Sequence, residues 1–177
     1  MSDAKRFEAF VLAHQDLVFS TAARLLGNQT EAEDVAQAVF LKAFERFGQI
    51  GDSPSAGAWL KTVATNLCLN HLSRYRSRWR LFSELPRTED DDPPFEATLA
   101  STERAGDALE QADEHARLEA AISRLPDHQR VPLVLFHFDE RSYQEIAAAL
   151  GVSPAKVKSD LHRAREALRA LLTDTGE

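Results

Sequence analysis

The run Glu89-Asp90-Asp91-Asp92-Pro93-Pro94 cannot lie inside a helix. Its like charges repel one another, and proline lacks the N–H that the helical ladder needs. On both sides of it, apolar residues recur at helical spacing, with no strand-like alternation and no internal repeat. The chain therefore reads as an all-α protein of two small helical domains. A three-helix domain is expected over residues 1–80, an acidic flexible linker over 81–117 and a helix-turn-helix domain over 118–177.

Phe7, Phe10, Val11, His14, Val18, Thr21 and Leu25 set one inward face of a first helix, which Gly27-Asn28 should stop. Thr30-Glu31-Ala32-Glu33 has the form of a capping box for a second helix running to about Phe47. Its broad apolar face holds Val35, Ala36, Val39, Phe40, Ala43, Phe44 and Phe47; Asp34, Gln37, Ala38, Leu41, Lys42 and Glu45 form the other. Residues 48–57 carry three Gly, one Pro and two Ser, and read as a loop. A third helix is expected over about 56–80. Trp59, Leu60, Val63, Leu67, Leu72 and Tyr75 face inward, with Thr62, Asn66, Asn70, Ser73 and Ser77 along another stripe. Some helix returns from about Ala105. Leu118, Ala121, Ile122 and Leu125 then mark a short amphipathic helix that opens the second domain.

The net charge of −7 hides strong segregation. Residues 61–80 hold five basic residues and no acid, residues 81–118 eleven acids against three bases, and residues 154–169 five bases against two acids. Local field governs contact with phosphate, so an acidic average does not exclude a nucleic-acid partner. No apolar run approaches the ~18 residues a membrane span needs, and Met1 to Arg6 lead into an amphipathic helix and not a signal core. A cytoplasmic protein without membrane insertion is expected. Cys68 is the lone cysteine, so no internal disulfide forms. Cys68 and His71 stand one helical turn apart, but nothing completes a set of four metal ligands. No nucleophile elbow, phosphate loop or catalytic cluster is evident, and neither enzymatic activity nor a cofactor is expected.

Residues 143–163 have the build of a helix-turn-helix. Ser142-Tyr143-Gln144-Glu145 is a capping box, Gly151 can end the first helix in the left-handed conformation, and Ser153-Pro154 starts the second. Ile146, Ala147 and Leu150 pack against Val152, Val157 and Leu161. The exposed face of the second helix is expected to carry Lys156, Lys158, Ser159, His162, Arg163 and Arg165, a set that suits the major groove. The same pattern fits an ordinary helical hairpin with a solvated basic face. Arg74, Arg76, Arg78 and Arg80 suit contact with DNA phosphates and equally a solvated helix end.

At four blocks the chain resembles the extracytoplasmic-function (ECF) family of bacterial sigma factors. These are Ala32 to Phe44, Ala58 to Asn66, Leu125 to Arg130, and Ser142 to Ala147 continuing through Val157 to Ala164. The resemblance implies a factor that binds core RNA polymerase and directs it to promoter DNA. It places Asp34, Gln37, Leu41 and Lys42 on the surface for the polymerase clamp helices. Loop 48–57, with Ser53 and Ser55, would capture a base flipped from the promoter −10 strand, as extrusion needs a pocket. Lys61, Asn66, Asn70 and Arg74 would bind the same strand. Lys156, Lys158, Ser159, Asp160, His162 and Arg163 would read the −35 element. The acidic linker is similar to the family's connector, which threads polymerase channels meant for nucleic acid. An anti-sigma factor is the further implied partner.

Three positions depart from the family pattern: Ala38 where an acid is common, Thr62 where a base is common, and Asp160 where Arg is usual. An Asp at 160 is expected to alter −35 preference by accepting from cytosine N4. Two rival functions remain open at this point. A stand-alone helix-turn-helix regulator would bind an operator tightly without polymerase. A polymerase-binding adaptor would be indifferent to loss of Lys158 and Arg163.

Overall fold

The computed structural model describes residues 2–72 and 108–174. Among the described residues the chain forms eight helices and no strand. It divides into two compact units, Met1–Tyr75 and Arg76–Glu177, each with its own core.

In the first unit, α1 (Asp3–Leu26), α2 (Gln29–Glu45) and α4 (Ala56–His71) pack on one another. The single turn α3 (Phe47–Ile50) follows α2 almost directly and takes up the first three residues of the segment expected to be loop. Ser2 caps α1 by accepting from the Lys5 N–H, so this helix starts about a turn earlier than periodicity suggested. Gly27 ends α1 at φ 64°, where a Cβ would be strained, and its N–H bonds the Ala23 carbonyl at 2.8 Å. The next residue takes the cap of α2: Asn28 is extended and its Oδ1 accepts from the Glu31 N–H at 3.0 Å. The expected capping box at Thr30 is therefore corrected, since Thr30 is already helical. Val18, Ala22 and Leu25 of α1, Val39 and Ala43 of α2, and Leu60, Ala64 and Cys68 of α4 are wholly buried. Several are alanines, which bring the helix backbones close together.

The phenylalanines of α2 do not share that core. Phe44 is 62% exposed and Phe40 half-buried, which corrects their placement on the inward face. Phe47 leaves α2 and joins α3, where its ring meets Phe7 at 5.2 Å and Phe10 at 5.5 Å, both edge-on. Edge-to-face contact is a preferred aromatic arrangement.

In the second unit, α5 (Ala108–Arg124), α6 (Asp127–His137), α7 (Tyr143–Leu150) and α8 (Pro154–Asp174) surround one core. Helix α5 is continuous from Ala108, so the amphipathic segment around Leu118 is its inner half. Ile122, Val131, Leu133, Leu135, Ile146, Val157, Leu161 and Ala164 are buried almost completely. Pro132 lies inside α6, which runs through it. Arg130 can be buried because its guanidinium is held by polar partners. It donates to the Leu125 carbonyl at 2.8 Å, near the end of α5, and pairs with the Asp127 carboxylate.

Candidate nucleic-acid interface

The helix-turn-helix is built by its caps. The Ser142 hydroxyl accepts from the Glu145 N–H at 3.1 Å, and the Glu145 carboxylate reaches back to the Ser142 N–H at 3.4 Å, closing the expected capping box. Gly151 ends α7 at φ 70°, and Val152 N–H bonds the Ala147 carbonyl at 3.1 Å. Ser153 then accepts from Lys156 N–H at 3.1 Å and opens α8. Three residues thus join the two helices. Ile146, Ala147 and Leu150 meet Val157 and Leu161 in the interior, as expected.

The exposed face of α8 differs from the expected one. Lys158 and Arg163 stand in solvent, with Ser159 and His162 half-buried beside them. His162 Nε2 lies 3.2 Å from Glu166 Oε1. Lys156 and Asp160, by contrast, are only 3% and 4% exposed, and the Lys156 ammonium donates to Asp160 Oδ2 at 2.7 Å. This corrects both residues as base readers, and with them the expectation that Asp160 accepts from cytosine. The i, i+4 spacing puts them on one flank of the α8 apolar stripe, where the rest of the unit covers them. Arg165 lies on the opposite flank and is also buried. It donates to His137 Nε2 at 3.3 Å and stacks over Phe136 at 5.4 Å. Burial, helped by the Arg165 charge, pushes the His137 pKa down to about 4. His128, at the start of α6, is also lowered, mainly by burial. The Asp160 carboxylate offsets this, while Lys156 and Arg163 reinforce it.

In the first unit, the turn after α3 forms an open pocket of about 350 Å³. Ile50, Ser53, Ser55, Ala56, Trp59 and Thr62 line most of it. The two serine hydroxyls lie 3.0 Å apart, and the Ser53 Oγ also accepts from the Ser55 N–H at 3.3 Å. Trp59 is half-buried on the pocket wall and not in the core as expected. From Trp59 and Thr62, one stripe of α4 continues through the exposed Asn66 and Asn70. Lys61 is half-buried and does not line the pocket. Arg74, with Arg76, Arg78, Arg80 and the acidic run, lies outside the described residues. Arg6, from the first turn of α1, ties the pocket loop down through Asp52 Oδ2 at 2.8 Å. Sequence reasoning missed this contact because 46 positions separate the partners.

A groove of about 1000 Å³ runs between α1 and α2, walled by Phe7, Val11, Phe19, Phe40, Leu41 and Phe44 among others. Gln37 and Leu41 stand on it, while Asp34 and Lys42 are exposed on α2 without lining it. Leu41 is 68% exposed. A signal for this groove was present in sequence: seven apolar residues are more than one face of a single helix can bury.

The sigma-70 region 2 family model matches residues 10–79, and the sigma-70 region 4 model matches residues 115–168. The ECF RNA polymerase sigma factor SigW of Bacillus subtilis is 31% identical over 172 residues, covering 97% of this chain and 91% of the relative. The chain belongs to the ECF sigma factors. SigL of Mycobacterium tuberculosis is 32% identical over 176 residues, covering 99% of this sigma factor and 93% of the relative. The crystallised sigma factor RpoE of Bartonella quintana, in complex with the anti-sigma factor NepR, is 21% identical, with TM-score 0.49, covering 96% of this chain and 98% of that one. The first unit thus carries region 2, and the second carries region 4 with the helix-turn-helix. The protein is a promoter-directing transcription factor, and factors of this family are non-catalytic. No described helix is long and apolar enough to cross a membrane.

Proposed function

We propose that this sigma factor divides its work among three surfaces. The outer face of α2, with Asp34, Gln37, Leu41 and Lys42, docks on core RNA polymerase, and the groove beside it receives apolar side chains of the same partner. The serine-walled pocket captures an unpaired base of the −10 strand, with Lys61, Asn66, Asn70 and Arg74 along the backbone path. Lys158, Ser159, His162 and Arg163 of α8 read or hold the −35 duplex. The observation that carries this reading is the seat of α8. Its caps and apolar stripe fix one face inward and turn Lys158 and Arg163 to solvent.

Each unit offers few phosphate contacts, so the free protein binds DNA weakly. Docking both units on polymerase raises the effective concentration of each surface at the promoter. An anti-sigma factor that covers the α2 surface blocks assembly. The factor acts in the cytoplasm, where polymerase works.

Run-off transcription with purified core polymerase on a fragmented genomic library tests the proposal. New start sites that appear only with the factor support it and report its promoter motif. Binding to core without new transcripts points to an adaptor. Tight DNA binding without core points to a stand-alone regulator.

A further inference from the structure

We infer that Lys156 is a positioning residue: by holding the Asp160 carboxylate, it keeps Arg163 turned outward for DNA. The inference rests on the assignment of Arg163 to the −35 duplex. Asp160 sits between two cations on α8, Lys156 four residues before it and Arg163 three residues after it. Both spacings bring side chains together on a helix. Only Lys156 makes the pair, at 2.7 Å and almost entirely out of water. Arg163 is exposed and makes no hydrogen bond or ion pair among the described residues. His128 feels the charges of Asp160, Lys156 and Arg163 together, which puts all four groups at one corner of the unit.

A buried carboxylate does not stay charged without a partner. If Lys156 is removed, Arg163, three residues on and exposed, is free to fold back, and its long side chain with a planar guanidinium is suited to carboxylate. Folding back onto Asp160 withdraws it from the DNA-facing surface. An acid in a DNA-reading helix is thus tolerated because a second, inward cation answers it.

The two ends of the pair give opposite expectations, which separates positioning from mere support of the fold. The probe is a promoter duplex recovered with wild-type holoenzyme from a randomised library, and the readout is holoenzyme affinity by fluorescence anisotropy. Arg163→Ala should weaken binding roughly ten-fold. Lys156→Met should weaken it as much, and adding Arg163→Ala to Lys156→Met should weaken it no further. Asp160→Asn breaks the same buried pair but leaves nothing to capture Arg163. Its affinity should stay within about two-fold of wild type. In the free protein, the Arg163 Nε–H should gain protection from exchange in Lys156→Met alone. Equal losses in Lys156→Met and Asp160→Asn, or a full additional loss from Arg163→Ala on top of Lys156→Met, overturn the inference. No effect of Arg163→Ala in the wild type overturns the DNA assignment instead, while the exchange measurement still tests the capture. If circular dichroism shows that Lys156→Met is unfolded, Lys156→Gln serves in its place under the same expectations.

Discussion

His137 ends α6 as the acceptor of hydrogen bonds from Nε and Nη2 of Arg165, both at 3.3 Å. A guanidinium has no acceptor, so the imidazole Nε2 must be unprotonated and its proton sits on Nδ1. Burial first, and then the Arg165 charge, lower the pKa to about 4 from the ordinary 6.5. Between these values the unfolded chain binds a proton that the folded unit does not. Stability therefore rises with pH across this window. It is fully present above about pH 6.5, is lost as the pH falls towards 4, and changes no further from this residue below that. The full window corresponds to about 3 kcal/mol. The side chain is nonetheless exposed over part of its surface, which screens the effect to on the order of 1 kcal/mol or less.

Two measurements check this. The His137 ring protons should titrate well below 6.5 in an NMR series. Native-state hydrogen exchange of α8 amides, corrected for intrinsic rates, should lose protection from about pH 7 to about pH 5 faster in wild type than in His137→Gln. Glutamine keeps an acceptor for Arg165 but does not titrate. His128, also lowered, is present in both proteins and cancels. Parallel loss of protection in the two proteins, or a ring titration near 6.5, would refute the assigned tautomer and its coupling to stability.

Leu60 is wholly buried where α4 meets α1 and α2, and Leu60→Ala should cost the first unit about 3 kcal/mol in urea unfolding followed by Trp59 fluorescence. Ser142→Ala removes the hydroxyl that accepts from Glu145 N–H, and should cost the second unit about 1 kcal/mol, read from exchange of α7 amides. Leu41→Glu should leave stability within about 0.5 kcal/mol, because the side chain is already in water. The same change should abolish core polymerase binding in a gel-shift titration.

Signals that depend on neighbours in sequence were legible. Gly27 and Gly151 end their helices as expected, and Ser142 and Ser153 start theirs, because a cap is settled within four residues. Thr30 shows the limit of that rule. It carries a good capping pattern, but Asn28 reaches the capping position first. Periodicity also found parts of the core stripes, Val18 to Leu25 and Val157 to Leu161 among them. It failed at the flanks of those stripes. Lys156, Asp160 and Arg165 each lie two positions from Lys158 or Arg163, and residue type alone says that all five belong in water. Their burial follows from how far the neighbouring helices overlap α8, which no local pattern encodes. Phe44 erred in the opposite sense: an apolar residue drawn into a broad face turned out to be surface, whereas Leu41 is exposed on the outer face where it was expected.

That pair of errors bears on how one acidic chain serves two chemically different partners. The first unit leaves Leu12, Leu41 and Phe44 in water, with a long apolar groove between α1 and α2. The second unit presents cations on α8 and keeps its large apolar side chains buried or half-buried, with Leu172 the most exposed of those described at 37%. Exposed apolar surface of this extent has a cost in solubility and marks a protein-binding face. A cationic helix face bound by phosphate has an affinity set by salt. On the proposed roles, raising the salt should weaken the hold of α8 on DNA far more than apolar contacts in the α1–α2 groove. Within region 4, Lys156 and Asp160 cancel one another, so the cations that α8 presents to solvent are fewer than the sequence count of five between residues 154 and 169. Arg165 is spent on His137 and Phe136. Lys158, Arg163 and Arg169 remain exposed on α8, and the salt dependence of −35 binding should be shallow enough to match at most three phosphate contacts and not five.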